Sequence, residues 1–194
     1  MYDYISGKLV EVNPAEAVID VGGVGYYIRI PVTTFEKIQN DESVKLYTEF
    51  IVREDGHFLF GFYNKEQREI FRLLISVSGI GSSSALLILS SLSVEQVKEA
   101  IASEDVATLK SIKGIGPKTA KRLIVELKDK ILKTHTPQGG VVAQGSGQKF
   151  NEAATALEIL GYPKRTTEKI LMQIAKEQPE MSVEQIIKTA LKRL

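Results

Sequence analysis

Two glycine triplets contain the residues whose types and spacing best suit a chemical task. The chain reads Gly-Ile-Gly at 79–81 and again at 114–116, and the surrounding stretches SVSGIGSSSALLIL (76–89) and SIKGIGPKTAKRLI (111–124) align without a gap at an offset of 35 residues. Glycine permits the positive or crowded backbone angles of a tight turn, and without a side chain it lets a ligand reach the backbone. Pro117 suits the first position of a helix, where no N–H is required. The amides of Gly114, Gly116, Lys118 and Thr119 would then project from a helix N-terminus, which favours an anion such as phosphate. Lys113, Lys118, Lys121 and Arg122 surround that turn. A single triplet is equally well explained as a tight helix–helix connection. Duplication, together with these cations, favours contact between the second copy and a DNA backbone.

Other chemistries fit less well. A Walker loop needs Gly-Lys-Ser/Thr, but Pro117 separates Gly116 from Lys118, and both triplets lack the third glycine of a dinucleotide fingerprint. There are no cysteines, and the two histidines, His57 and His135, lie far apart in sequence, so a metal site is not expected. The net charge of +1 is uninformative, but its distribution is not: residues 1–63 carry five Lys/Arg against ten Asp/Glu, whereas residues 64–135 carry twelve against eight. Within 110–133 eight cations face only Glu126 and Asp129, so a polyanion is expected to bind there first.

The elements that must position these residues follow from periodicity. YISGKLVEV, AVIDV, GYYIRIPV, KLYTEFIVRE and HFLFGFY alternate and are rich in β-branched and aromatic residues, with Asn13-Pro14, Gly22-Gly23 and Asp55-Gly56 as turn signals. Five short strands in this space predict a small barrel, with one or two helical turns at TTFEKIQ and with most of its tyrosines in the core. From Lys65 the period becomes helical, and Ser93 followed by Gln96 is a capping-box pattern. Residues 134–149 have four glycines and no acidic residue, which predicts a flexible linker. Beyond it, FNEAATALEILG, KRTTEKILMQIAKE and SVEQIIKTALKRL predict a three-helix module, with Leu157, Leu160, Ile170, Leu171, Ile174, Ile187 and Leu191 as core candidates. Composition, 43% apolar and 25% charged, is that of a folded soluble chain. No apolar run approaches the roughly 18 residues of a membrane span, so a cytosolic location is expected.

The paired triplets resemble helix-hairpin-helix elements, and the chain as a whole resembles the bacterial Holliday-junction protein family RuvA. GGVGY (22–26), VREDG (52–56), FGF (60–62), GIGPKTAKRLIVELKDK (114–130) and ALEILGY (156–162) carry the resemblance, in an order that covers all three segments. It implies an α+β multidomain chain: an OB-fold β-barrel over 1–63, a tandem helix-hairpin-helix domain over 64–133, a linker over 134–149 and a small three-helix, UBA-like domain over 150–194. It further implies a bacterial cytoplasmic protein forming homotetramers, one or two of which hold a four-way junction open and nearly planar. The protein would recruit the ring ATPase RuvB, with the RuvC resolvase in the larger complex. ATP and Mg would be used by RuvB, with no cofactor bound by this chain and no catalysis of its own.

Transferred to these residues, the resemblance places Gly114, Gly116, Lys118 and Thr119 at phosphates, with Lys113, Lys121 and Arg122 beside them. The first hairpin would use Gly79, Gly81, Ser83 and Ser84. There the chain departs from many relatives, having Ser82-Ser83-Ser84 where they carry a lysine. Glu54 and Asp55 have two readings, an exposed hairpin tip with no further role or an acidic pin that repels phosphates at the junction centre. Leu160 and Tyr162 are candidates for the RuvB-docking face, again by resemblance. Two other classes remain open from the residues alone: a helix-hairpin-helix base-excision enzyme, which needs a substantial pocket for a flipped base, and a protein adaptor without junction preference.

Overall fold

Five strands with alternating apolar residues close into a barrel. In the computed structural model, which describes residues 2–134, 146–178 and 181–194, these are β1 (Tyr4–Asn13), β2 (Glu16–Val21), β3 (Val24–Arg29), β4 (Ser43–Arg53) and β5 (Gly56–Phe62). Their order is β1-β2-β3-β5-β4, returning to β1. β1 serves two neighbours, pairing with β4 from Tyr4 to Lys8 and with β2 from Lys8 to Asn13, and a register irregularity between Leu9 and Glu11 accompanies the change. The closing seam is parallel, with Arg29 opposite Phe60. Gly22 and Gly23, at φ +63° and +91°, form the two-residue turn between β2 and β3, the geometry that matches strand twist. Helix α1 (Val32–Ile38) bridges β3 and β4.

The barrel interior is aliphatic: Ile5, Ala17, Ile19, Ile28, Ile30, Ile38, Val44 and Leu46 are buried together. Of the tyrosines only half-buried Tyr26 packs against it, which corrects the expectation that most would be core. Tyr2, Tyr4, Tyr27 and Tyr63 are exposed, and Tyr26 and Tyr47 are half-buried. Tyr4 neighbours the inward Ile5, and Tyr27 the inward Ile28, so strand alternation turns these rings outward.

The helices α2 (Lys65–Ile75), α3 (Ser82–Ser91), α4 (Val94–Ala102), α5 (Val106–Ser111) and α6 (Pro117–Thr134) follow directly. Their core does not stop at the 63/64 boundary expected from the change of period. Phe60 and Phe62 of β5 pack on Phe71 of α2 at centroid separations of 5.2 and 4.8 Å, and all three rings are buried in the helical cluster. Removing the Phe71 ring would cost about 3–5 kcal/mol by the usual cost of a large core cavity. A polar seam fixes the same junction. The Gln67 side chain accepts from Thr34 Oγ1 (2.7 Å) and the Tyr63 amide (3.1 Å) and donates to Thr33 Oγ1 (2.8 Å), which itself donates to the Leu89 carbonyl (2.7 Å). Buried Arg68 donates to the Asp3 carboxylate at 2.6 Å. Barrel and hairpins therefore belong to one unit, residues 1–136.

The second unit, residues 137–194, contains α7 (Ser146–Ile159), α8 (Lys164–Glu177) and α9 (Val183–Leu191). Ala153, Leu157, Leu171, Ile174, Ile186 and Ala190 form its core. α6 runs to Thr134 and α7 starts at Ser146, so both ends of the stretch assigned to a linker are helical. The remainder of that stretch, 135–145, lies outside the described residues. After α7 the chain makes a Schellman turn: the Tyr162 amide donates to the Leu157 carbonyl, the Gly161 amide to Glu158, and Gly161 has φ +94°. This accounts for the glycine of ALEILGY.

Candidate nucleic-acid interface

The 35-residue repeat is a repeat of structure as well as sequence. Ile80 N–H donates to the Val77 carbonyl and Ile115 N–H to that of Ile112, both at 3.0 Å. Ala85 N–H donates to Gly81 and Ala120 N–H to Gly116, opening α3 and α6. The matching side chains Val77 and Ile112, Ile80 and Ile115, Ala85 and Ala120 are all buried. Gly79 and Gly114 have φ +92° and +87°, a left-handed conformation costly for any residue with a Cβ.

The second glycine of each triplet differs. Gly81 has φ −86° and ψ 170°, and a Cβ added at Gly81 or Gly116 would meet nothing within 4 Å. Neither backbone strain nor packing demands glycine there, and the space beside each is open. Four other helix starts are closed by side chains, Asn64, Ser93, Asp105 and Ser182 capping α2, α4, α5 and α9, whereas α1 and α8 follow Pro31 and Pro163 without a side-chain cap. Ser93 makes the expected capping box with Gln96, and Ser182 repeats it with Gln185. Gly81 makes no side-chain cap to α3, and Gly116 has no side chain with which to cap α6. Unsatisfied first-turn amides and the positive end of the helix dipole thus face outward at both hairpins.

Charge distinguishes the two copies. Lys113, Lys118 and Lys121 are exposed and form no ion pair among the described residues, while Thr119 is half-buried. Arg122 is exposed but engaged with Glu126 at 2.6 Å along the helix. Lys128 pairs with Glu104, whose hydrogen bond and charge hold the Glu104 carboxyl below its ordinary value. In the first copy Ser83 is exposed and Ser84 half-buried. Ser82 is buried, and its hydroxyl accepts a 2.6 Å hydrogen bond from Arg53 Nη2 at the end of β4. Sequence reasoning missed Arg53, although a cation directly before the acidic pair was a visible signal.

The acidic pair sits at the tip of the β4–β5 hairpin. Arg53 opposite Gly56 is the last pairing, so Glu54 and Asp55 are the two turn residues, at the hairpin tip where the Asp55-Gly56 signal puts the acidic pair. Both are exposed and have no hydrogen-bond or ion-pair partner among the described residues. This is the form of a charge presented to solvent. Neither a metal-holding cluster of acidic and histidine residues nor a helix long and apolar enough to cross a membrane occurs among the described residues.

In the second unit Leu160 and Tyr162 are exposed, and so is Leu191, which corrects the core role expected for Leu160 and Leu191. Leu160 directly follows α7, its N–H still donating to the Ala156 carbonyl at 3.0 Å, and the chain leaves the helix at Gly161. Ile159 and Met172, 81% and 66% exposed, are further exposed apolar residues of this unit that were not singled out from sequence.

Comparison with known proteins adds an independent line. Residues 1–61 match the family described as RuvA N terminal domain, residues 71–129 the SAM-like helix-hairpin-helix tandem, and residues 148–194 the RuvA C-terminal domain. Among curated relatives, a protein of Christiangramia forsetii is 53% identical over 194 residues, covering all of both chains. One of Flavobacterium psychrophilum is 47% identical over 194 residues and one of Bacteroides thetaiotaomicron 46% over 202, again across both full chains. Each is named Holliday junction branch migration complex subunit RuvA.

Proposed function

The chain belongs to the RuvA family, and on that premise we propose that it binds four-way junction DNA and acts as the non-catalytic subunit that recruits the RuvB ATPase for branch migration. The observation that carries this reading is the duplicated hairpin, in which two helix N-termini are left uncapped behind glycines that the fold itself does not require. Backbone amides read phosphate and not base edges, so such a surface positions a duplex without specifying its sequence. Four-way geometry is then recognised by the arrangement of several subunits. A homotetramer, alone or as a pair enclosing the DNA, suits a ligand with four equivalent arms.

Within this reading Gly114, Gly116, Lys118 and Thr119 meet one phosphate cluster, with Lys113, Lys121 and Arg122 adding charge. Gly79, Gly81, Ser83 and Ser84 meet another through amides and hydroxyls. Glu54 and Asp55 point their unpartnered carboxylates at the crossover, where repulsion keeps strands from collapsing onto one another. Leu160 and Tyr162, with Ile159 and Met172, offer RuvB an apolar docking face, and RuvC joins the larger assembly. ATP and Mg are used by RuvB, and this chain binds no cofactor.

The deciding experiment titrates purified protein, without ATP or partner, against a synthetic four-way junction and a linear duplex of equal length across a salt series. Strong junction preference with steep salt dependence is expected. Equal affinity for the two DNAs would overturn the junction role, and base release or strand scission by the protein alone would overturn the non-catalytic one.

A further inference from the structure

The two hairpins share the buried pairs Val77 and Ile112, Ile80 and Ile115, and Ala85 and Ala120, yet the first lacks every cation of the second. Lys113, Lys118, Lys121 and Arg122 correspond at the 35-residue offset to Ser78, Ser83, Leu86 and Leu87. A hairpin whose amides meet phosphate without a neighbouring cation would forfeit the counterion-release part of its affinity.

The barrel supplies a cation at this place. Arg53, 29 residues upstream, donates from Nη2 to Ser82 Oγ at 2.6 Å. Ser82 is the first residue of α3, equivalent to Pro117 in the second copy, and is only 3% exposed. The guanidinium therefore stands at the uncapped start of the first hairpin helix. Its orientation is fixed from a second side by Phe58, whose ring centroid lies 5.6 Å from Arg53 Cζ, while Arg29 covers the same ring at 4.7 Å. Arg53 is exposed and forms no ion pair among the described residues, even though Glu54 and Asp55 follow it directly. One N–H is spent on Ser82, and the planar fork retains further donors for an oxyanion.

We propose that Arg53 is the phosphate-binding cation of the first hairpin, delivered from the barrel in place of the lysines found in the second. This rests on the junction-binding reading above and deepens it: the first hairpin becomes a composite site, half barrel and half helix. The Ser82 hydroxyl acts as the tether that aims the guanidinium. The acidic tip and the first phosphate site are consequently neighbours on one rigid strand end, so that repulsion at the crossover and grip on the arm are geometrically coupled.

The test compares the full chain with Arg53→Gln and Arg53→Lys, measuring four-way junction affinity from low to moderate salt. For Arg53→Gln the slope of log affinity against log salt should fall by about 0.9 for each subunit whose guanidinium meets a phosphate. Arg53→Lys, which keeps the charge, should retain the slope while binding more weakly. The same pair is then made in a Glu54→Gln, Asp55→Asn background. A charge that only masks the acidic tip would have no effect there, whereas a phosphate contact loses the same slope. An unchanged slope for Arg53→Gln, a fall in slope for Arg53→Lys as large as that for Arg53→Gln, or disappearance of the effect in the neutral-tip background would each overturn the proposal. The parent protein is its own control, because absence of junction preference in the parent would instead refute the junction-binding reading.

Discussion

The four hairpin glycines allow fold and binding to be separated by a single methyl group. Gly79→Ala and Gly114→Ala force a Cβ into φ +92° and +87°, which costs about 1–2 kcal/mol for a left-handed residue. No clash adds to this, since nothing lies within 4 Å of either added Cβ. At Gly81 and Gly116 the backbone is not left-handed and the added Cβ also meets nothing. Alanine there restricts the unfolded chain, a gain of about 0.4–1 kcal/mol, but is a poorer N-cap than glycine by a similar amount, so the two effects nearly cancel. Folded stability should therefore stay within about 0.5 kcal/mol of the parent on that balance. Binding should respond in the opposite order. A methyl between the first-turn amides and a phosphate oxygen breaks one hydrogen bond to a charged group per hairpin, about 1.5–3 kcal/mol or roughly ten- to hundredfold in affinity. Thermal melting and junction titration on the same preparations provide both quantities. The reasoning fails if Gly116→Ala melts as low as Gly114→Ala, or if it melts like the parent and still binds junctions normally.

Lys118→Ala should weaken binding to all DNA sequences alike and lower the salt slope by about 0.9 per phosphate released; unchanged affinity across the salt series would remove Lys118 from the interface. Glu54→Gln with Asp55→Asn should leave junction binding intact or tighter while altering RuvB-driven migration, and clearly weaker binding would count against a repulsive tip. Gly61→Ala places a Cβ 2.6 Å from Ile28 Cγ2 and 3.0 Å from Leu46 Cδ1 inside the barrel, so a loss of about 1–3 kcal/mol is expected from overpacking, read as a lowered denaturation midpoint. The Glu104 carboxyl, which Lys128 holds below its ordinary value of 4.5, contributes stability that is present above that value and lost as pH falls through its depressed folded value. Glu104→Gln should accordingly be less stable than the parent at neutral pH and converge with it in acid, once pH has fallen below the depressed folded value; a constant difference at all pH values would show that the pairing is not responsible.

What the sequence determined by itself was whatever depends on neighbours a few residues apart. Period-two and helical patterns marked the barrel strands and the helices, Ser93 and Gln96 marked a cap, and the gapless echo of 76–89 in 111–124 marked a duplicated turn whose hydrogen bonds do coincide. Periodicity also drew a boundary after residue 63, because the change of period is local, yet Phe60 and Phe62 are buried with Phe71 beyond it. Tertiary structure decided which face each residue shows. Closure of the barrel turned Tyr4 and Tyr27 outward while their neighbours Ile5 and Ile28 went in, and the packing of the three C-terminal helices left Leu160 exposed while Leu157 was buried. It alone distinguished Gly79 and Gly114, whose left-handed backbone needs glycine, from Gly81 and Gly116, whose backbone does not. It also placed Arg53 on Ser82, a contact between a strand end and a helix start with no sequence periodicity to announce it. Local preferences choose φ and ψ from adjacent side chains, whereas contacts between elements depend on how barrel closure and helix packing bring distant residues together.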